Sequence, residues 1–239
     1  MYYGEKAEAF EAVIFDLDGT LIDSEPDYSA CDREVFASWG IELTVELNRS
    51  LMGLGNLDCL RVLDGLFPGC PFSRLPLEER AARRDAVYLA RGASRAKAFP
   101  AMAGLVARLA ETGMPLAIAS GSSPAVIRAS LEASGIAPYF PVIVAASEVA
   151  LGKPAPDIFL EAASRLCAAP AGCLVFEDAA KGIEAAVRAG MRCVALPSMD
   201  ADLAAFAGAD LVLHGGPSAA SAEELFHLVQ TLSRSPVEA

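Results

Sequence analysis

Ala12-Val13-Ile14-Phe15-Asp16-Leu17-Asp18-Gly19-Thr20-Leu21-Ile22-Asp23-Ser24 is the stretch from which the rest of the chain is read. Its first four residues are apolar, the texture of a short strand buried on both faces. The run breaks off in two carboxylates, Asp16 and Asp18, set two residues apart. Carboxylates at the end of a buried strand are costly to desolvate unless they bind a cation or do chemistry. The carboxyl ends of strands are also where open α/β sheets bind their ligands. Strand alternation aims Asp16 and Asp18 the same way, and Gly19 lets the chain turn sharply after them. An ordinary strand closed by an acidic turn is the plain alternative, because Asp and Gly are common turn residues. The intact string Asp-x-Asp-Gly-Thr-Leu after an apolar run is more specific than its dipeptides.

Downstream the texture changes twice. Between residues 25 and 92 no strand-like alternation occurs. Helical patterns cover 25–39, 44–52 and 56–67, and Pro68-Gly69-Cys70-Pro71 interrupts before a longer helix from Leu75 to about Gly92. From Phe99 onward, helices alternate with short apolar runs. Strands are expected at 115–119, 142–145, 173–176, 193–196 and 210–213, with helices at 101–112, 124–134, 157–166, from 178 to 189 and at 222–232. This order specifies an α/β fold, a Rossmann-like parallel sheet with helices on both faces, carrying an inserted all-helical segment. The expected division is a core of residues 8–23 and 99–233, an insert of 24–98 and a frayed tail of 234–239. Hinges are expected at Asp23-Ser24-Glu25-Pro26 and between Gly92 and Phe99.

With 54% hydrophobic residues in 239, the chain can bury a sizeable core. Its apolar runs are short, so no membrane span is expected, and the N-terminal residues lack the pattern of a signal peptide. Six scattered cysteines, with no Cys-x-x-Cys, read as reduced thiols and point to the cytoplasm. The net charge of −12 argues against nucleic acid or an anionic membrane as partner. Residues 24–98 hold 11 acidic and 10 basic side chains, the remainder 20 and 9. An anionic substrate therefore needs a local cation in the core. Oligomeric state is left open, a monomer being compatible with the pattern.

Three further strings fall at expected strand ends or helix starts. Ser120-Gly121-Ser122 offers hydroxyls and free backbone N–H groups before a helix, an anion site, with a plain N-cap serine as the alternative. Gly152-Lys153-Pro154-Ala155-Pro156 holds a lysine in a proline-stiffened turn, a positioned point charge for phosphate rather than the solvated lysine that is usual. Glu177-Asp178 repeats the first pattern, paired carboxylates after an apolar strand. Together with Asp16 and Asp18 they make an all-oxygen set suited to Mg²⁺. His214 and His227 lie near none of these strings, so a Ser-His-Asp hydrolase is not indicated.

The four strings, in this order, resemble the four motifs of the haloacid dehalogenase superfamily of phosphoryl-transfer enzymes. Asp18 is similar to the second aspartate of its phosphatase and phosphomutase branches, which the dehalogenases proper lack. The resemblance implies that Asp16 is the nucleophile forming an aspartyl-phosphate and Asp18 the acid–base. It implies that Ser120, Gly121, Ser122 and Lys153 bind phosphate. Asp16, Asp178, Glu177 and the Asp18 carbonyl would hold Mg²⁺. The helical insert resembles the family's C1 cap, and the layout looks like the β-phosphoglucomutase-like subgroup. Leu51-Met52-Gly53 and the stretch 173–179 look more like its pseudouridine-5′-phosphatase and glycerol-phosphatase relatives. Ser24, Tyr28, Met52, Gly53 and Asn56 are the expected specificity positions. Phosphoglucomutases of the subgroup carry a histidine, a lysine and an arginine where Tyr28, Met52 and Asn56 stand. Ala179 replaces the serine that many relatives have there. The expected activity is hydrolysis of a small phosphorylated metabolite. A sugar phosphomutase and a catalytically silent metal- and phosphate-binding protein are the alternatives.

Overall fold

Strand β1 (Ala12–Phe15) lies in the middle of a parallel sheet whose order is β3-β2-β1-β4-β5-β6. The computed structural model describes residues 9–51 and 54–233. Met52, Gly53 and the tail 234–239 therefore lie outside the described residues. The other strands are β2 (Leu116–Ser120), β3 (Val142–Ala145), β4 (Cys173–Glu177), β5 (Arg192–Ala195) and β6 (Leu211–Val212). The chain leaves β1 towards β2 and β3 on one side and returns to β4 on the other. The gap between neighbouring strands that part in this way is where such sheets bind ligands.

Alternation along β1 fills both faces. Val13 and Phe15 join one apolar cluster, with Leu105 and Leu109 of α5 (Pro100–Glu111), Ile127 and Leu131 of α6 (Pro124–Ser134) and Leu225 of α9 (Ala222–Leu232). Ala12 and Ile14 join the other, with Phe159 of α7 (Asp157–Arg165) and Ile183 of α8 (Ala180–Arg188). Phe15 stacks on Phe176 at 5.2 Å between ring centroids, tying β1 to β4 below the catalytic edge. Burial on both faces explains why these strands read as unbroken apolar runs.

Two strands reach further than the sequence suggests. Ser120 pairs with Ala145, and Glu177 with Ala195, so both polar residues belong to the ladder and not to the loops after it. β5 begins one residue earlier than expected, and β6 is only Leu211–Val212. Asp210 explains that shortening: its carboxylate accepts the Cys193 N–H at 2.8 Å and pairs with Arg192.

Between β1 and α5 come α1 (Glu25–Ser38), α2 (Val45–Leu51), α3 (Asn56–Leu66) and α4 (Leu77–Arg91), with a 3₁₀ turn at Pro71–Arg74. They enclose their own cluster around Phe36, Leu60, Leu63 and Phe72. The two connections to the core run side by side, since Asp23 N–H donates to Lys97 O and Phe99 N–H to Leu21 O. Arg84 of α4 is buried and forks onto Asp32 of α1, its Nε and Nη2 donating at 2.5 and 2.7 Å. Among the described residues no helix is long and apolar enough to cross a membrane.

Removing one partner of a buried ion pair strands the other charge. Arg84→Met should lower stability by about 3–5 kcal/mol, and Asp32→Leu combined with Arg84→Met should recover most of it. Urea unfolding reads both. A single-variant loss no larger than that of an exposed pair such as Arg83–Glu79 would show that the fork does not hold α1 to α4.

Candidate active site

Asp16 follows β1 directly, and its N–H still donates to Phe176 O at 3.0 Å, so the sheet itself fixes its place. Its Oδ1 accepts from Lys153 Nζ at 2.6 Å. The same ammonium donates to Glu177 Oε1 at 2.7 Å and to Ala119 O at 3.1 Å, using all three of its protons. Lys153 thus bridges the ends of β1, β2 and β4. Glu177 is 1% exposed, and its Oε2 accepts the Ala179 N–H at 2.6 Å. Gly182 on α8 leaves room for it: a Cβ there would lie 1.6 Å from Glu177 Oε1. Asp178 Oδ1 accepts from Thr20 Oγ1 at 3.0 Å. Gly19, at φ +82°, passes so close that a Cβ would lie 2.3 Å from Asp178 Oδ2.

Asp18 has different company. Ser24 Oγ donates to its Oδ1 at 2.8 Å and Ser122 Oγ to its Oδ2 at 2.7 Å, with Ser120 Oγ further off at 3.5 Å. Ser122 N–H donates to Ser120 Oγ at 3.1 Å. Beyond Ser122, the phenol of Tyr28 lies 2.8 Å from Ser122 Oγ.

Burial dominates the electrostatics. It pushes the Asp16 carboxyl up to about 7; Lys153 opposes the rise, and Glu177 and Asp18 add to it. Burial likewise drives Asp178 well above the usual carboxylate range, reinforced by Glu177 and Asp16. It raises Asp18 too, against the pull of the Ser122 and Ser24 hydroxyls. Desolvation alone would lower Lys153, but the Asp16 and Glu177 carboxylates outweigh it and hold the ammonium above its ordinary value. Asp16, Glu177 and Asp178 share this one lysine, an excess of buried negative charge that a divalent cation would neutralise. Among the described residues no three His, Cys, Asp or Glu side chains could hold an ion alone. A hard ion that keeps waters and takes substrate oxygens needs only one or two protein carboxylates, and this donor set fits it.

The expected residues converge, and three of them have their polar atoms engaged within the site. Ser24, an expected specificity position, is buried with its hydroxyl donating to Asp18. Ser120, expected to bind phosphate, is 1% exposed, and its hydroxyl lies between Asp18 and the Ser122 N–H. Glu177, expected among the metal ligands, has both oxygens engaged by Lys153 and Ala179. Asn56 lines the cavity, but its amide donates to Asp85 Oδ1 and Ala81 O and accepts from Arg84. Thr20, Asp85 and the Arg84–Asp32 fork were not singled out in the sequence. Above the site a cavity of about 820 Å³ separates the carboxylates from the helical insert.

An aspartate pair and a lysine at the carboxyl edge of a Rossmann-like sheet, under a helical insert, define a phosphoryl-transfer class. The chain belongs to the haloacid dehalogenase-like hydrolases, whose family model matches residues 10–190. It is 32% identical over 187 residues to the fructose-1-phosphate phosphatase YqaB of Escherichia coli K12, covering 78% of this chain and 96% of that protein. CbbY of Rhodobacter sphaeroides, solved with xylulose 1,5-bisphosphate, superposes with a TM-score of 0.77 at 29% identity, over 85% of this chain and 93% of that one. The β-phosphoglucomutase of Clostridium difficile gives a TM-score of 0.79 at 25% identity, over 94% and 97%. The chain is a phosphoric monoester hydrolase of this family.

Gly182→Ala should lower stability by about 1–3 kcal/mol, the usual range for overpacking. Gly65→Ala, on α3 with open space around it, should raise stability by about 0.5–1 kcal/mol on helix propensity. Thermal unfolding of the two variants checks the packing round Glu177. Equal effects would refute it.

Proposed function

We propose that the protein is a Mg²⁺-dependent phosphatase of small phosphomonoesters, phosphorylated sugars or polyols, working through an aspartyl-phosphate on Asp16. The observation that carries this reading is the split between two carboxylates two residues apart: Asp16 lies on Lys153, Asp18 among hydroxyls. Asp16 attacks phosphorus, and the bond from phosphorus to the leaving oxygen breaks. Asp18 gives that oxygen a proton, which its burial-raised pKa helps it to carry. Asp18 then takes a proton from the water that attacks the aspartyl-phosphate, releasing phosphate and restoring Asp16. Lys153 faces the phosphoryl charge as a point charge, its protons held by Asp16, Glu177 and Ala119, and the Gly121 N–H before α6 is the backbone donor for it. Mg²⁺, held by Asp16, Asp178 and the Asp18 carbonyl beside the Glu177–Lys153 pair, supplies further charge neutralisation when bound.

Residues 24–98 act in this reading as a cap that excludes water and receives the leaving group. Ser29, Asn48, Asn56 and Asp85 line the cavity with groups suited to hydroxyls. Arg84 is already neutralised by Asp32 and Lys153 by Asp16 and Glu177. Uncharged Tyr28 and Asn56 also stand where phosphoglucomutases of the subgroup carry a histidine and an arginine. The second point supports hydrolysis of monophosphates over mutase chemistry on a bisphosphate; the first does not decide it, because Arg49 and Lys181 line the same cavity without an ion pair among the described residues. The fructose 1-phosphate named for the Escherichia coli relative is the first substrate to try. Six free cysteines, four of them buried, support a reducing compartment such as the cytoplasm.

Phosphate release should be Mg²⁺-dependent, stop with chelator, and concentrate on one or two esters. The panel is fructose 1-phosphate, glycerol phosphate, phosphogluconate and pseudouridine monophosphate. Asp16→Asn should lower turnover by about 10⁴-fold or more while the protein stays folded. Unchanged turnover there, or release only after adding a hexose bisphosphate, would overturn the reading. Mg²⁺ at a hundredfold excess over Kd should also stabilise the fold by about 2.7 kcal/mol, read as a raised unfolding midpoint. Asp178→Asn should abolish that shift, and a shift that survives would remove Asp178 from the metal set.

A further inference from the structure

The Asp18 carboxylate is not held by the core alone. Ser122 has one proton and gives it to Asp18 Oδ2 at 2.7 Å, so at its 2.8 Å contact with Tyr28 it can only accept. The phenol is therefore the donor, and two hydrogen bonds in line run from Tyr28 on α1 through Ser122 at the end of β2 to Asp18. Tyr28 is fixed from the insert's side. Its ring stacks on Tyr88 with centroids 4.1 Å apart and planes 11° apart, and the Arg84 guanidinium lies 5.6 Å from its centre, itself locked on Asp32. The insert meets the core close by. A Cβ on Gly121 would lie 2.9 Å from Gly55 Cα, and one on Gly55 3.2 Å from Gly121 O. Backbone touches backbone there because neither residue has a side chain, and this close seating lets the phenol reach Ser122. An insert lifted from the core would take the phenol away and leave Ser122 free to rotate off Asp18.

We propose that Tyr28 is a positioning residue for the Asp18 acid–base: seated against the core, it orients Ser122, and through it the carboxylate that passes protons to the leaving group and from the attacking water. The proposal rests on the phosphatase reading above. It assigns Tyr28 a role through another residue, distinct from contact with the leaving group.

A double-mutant cycle tests it, with fructose 1-phosphate and p-nitrophenyl phosphate as probes. Tyr28→Phe keeps the ring and removes one hydroxyl, so its unfolding midpoint should match the parent's. On fructose 1-phosphate its kcat should fall about tenfold, a fraction of what general acid–base catalysis contributes, with KM little changed. The p-nitrophenolate leaving group needs no proton. The variant should therefore keep a rapid first release of p-nitrophenol while steady turnover, limited by the water step, slows. Ser122→Ala should show the same pattern, and the double variant should be no slower than Ser122→Ala alone. Losses that multiply, an unchanged kcat, or a raised KM at the parent's kcat would each overturn the proposal. Should Ser122→Ala unfold early, the division between kcat and KM in Tyr28→Phe decides by itself. If another ester of the panel above is the one hydrolysed, it takes the place of fructose 1-phosphate; a parent inactive on the whole panel and on p-nitrophenyl phosphate removes the phosphatase reading and this proposal together. An active parent with multiplying losses removes this proposal alone.

Discussion

Four carboxylates at one edge of a parallel sheet are held there against their own repulsion. A parallel sheet brings the carboxyl ends of its strands to one edge, and Asp16 and Glu177 end up on adjacent strands by register. Lys153 answers for two of them at once, and the Ala119 carbonyl takes its last proton. The constraint propagates outward. α8 must offer Gly182, so that Glu177 fits beneath it, and the loop after β1 must turn through Gly19, which lies against Asp178. Desolvation raises Asp16, Asp18 and Asp178 together, so this edge costs stability that the two apolar layers on the sheet faces have to supply. Such a cluster is better explained by phosphoryl chemistry than by folding.

The same sheet separates two identical side chains into two jobs. Asp16 and Asp18 are two residues apart, yet one meets an ammonium and the other meets hydroxyls. An ammonium favours a carboxylate ready to attack. Hydroxyls can donate to a carboxylate and also accept from a carboxylic acid, so they tolerate Asp18 in either protonation state. Environments that differ in this way are how enzymes make an acid and a nucleophile from one residue type.

The sheet and the residues on it were legible because their signals are local. The apolar run of β1 ending in Asp16 can be read from a few neighbours. The same holds for α6, which opens on Ser123 and closes at Gly135, and for α9, whose Ser221 and Glu224 cap each other. Local pattern puts Ser120 and Glu177 just at the strand ends, and register with Ala145 and Ala195 carries both into the ladder. Only the partner strand holds that information. The company of Asp18 was less legible still. Tyr28 meets Ser122 across 94 positions and Arg84 meets Asp32 across 52, contacts that depend on how the insert sits. Ser24 could be seen to lie at a hinge, but nothing local shows that its hydroxyl turns back onto Asp18.

Charge explains what the insert contributes. Its acidic and basic residues nearly balance, whereas the rest of the chain carries most of the net negative charge. Within the insert several cations are spent internally: Arg84 on Asp32, Arg80 on Asp64, Arg91 on Glu34. Arg49 and Lys181 line the cavity without an ion pair among the described residues, and they are its remaining cations besides Lys153 and Arg84. A near-neutral lid adds little repulsion to an incoming phosphate and little attraction either. In the proposed phosphatase reading the phosphoryl group would then be held at the sheet edge, by the charge of Lys153, a backbone N–H and a bound cation. In that reading the insert would select by the shape and hydroxyl pattern of the leaving group.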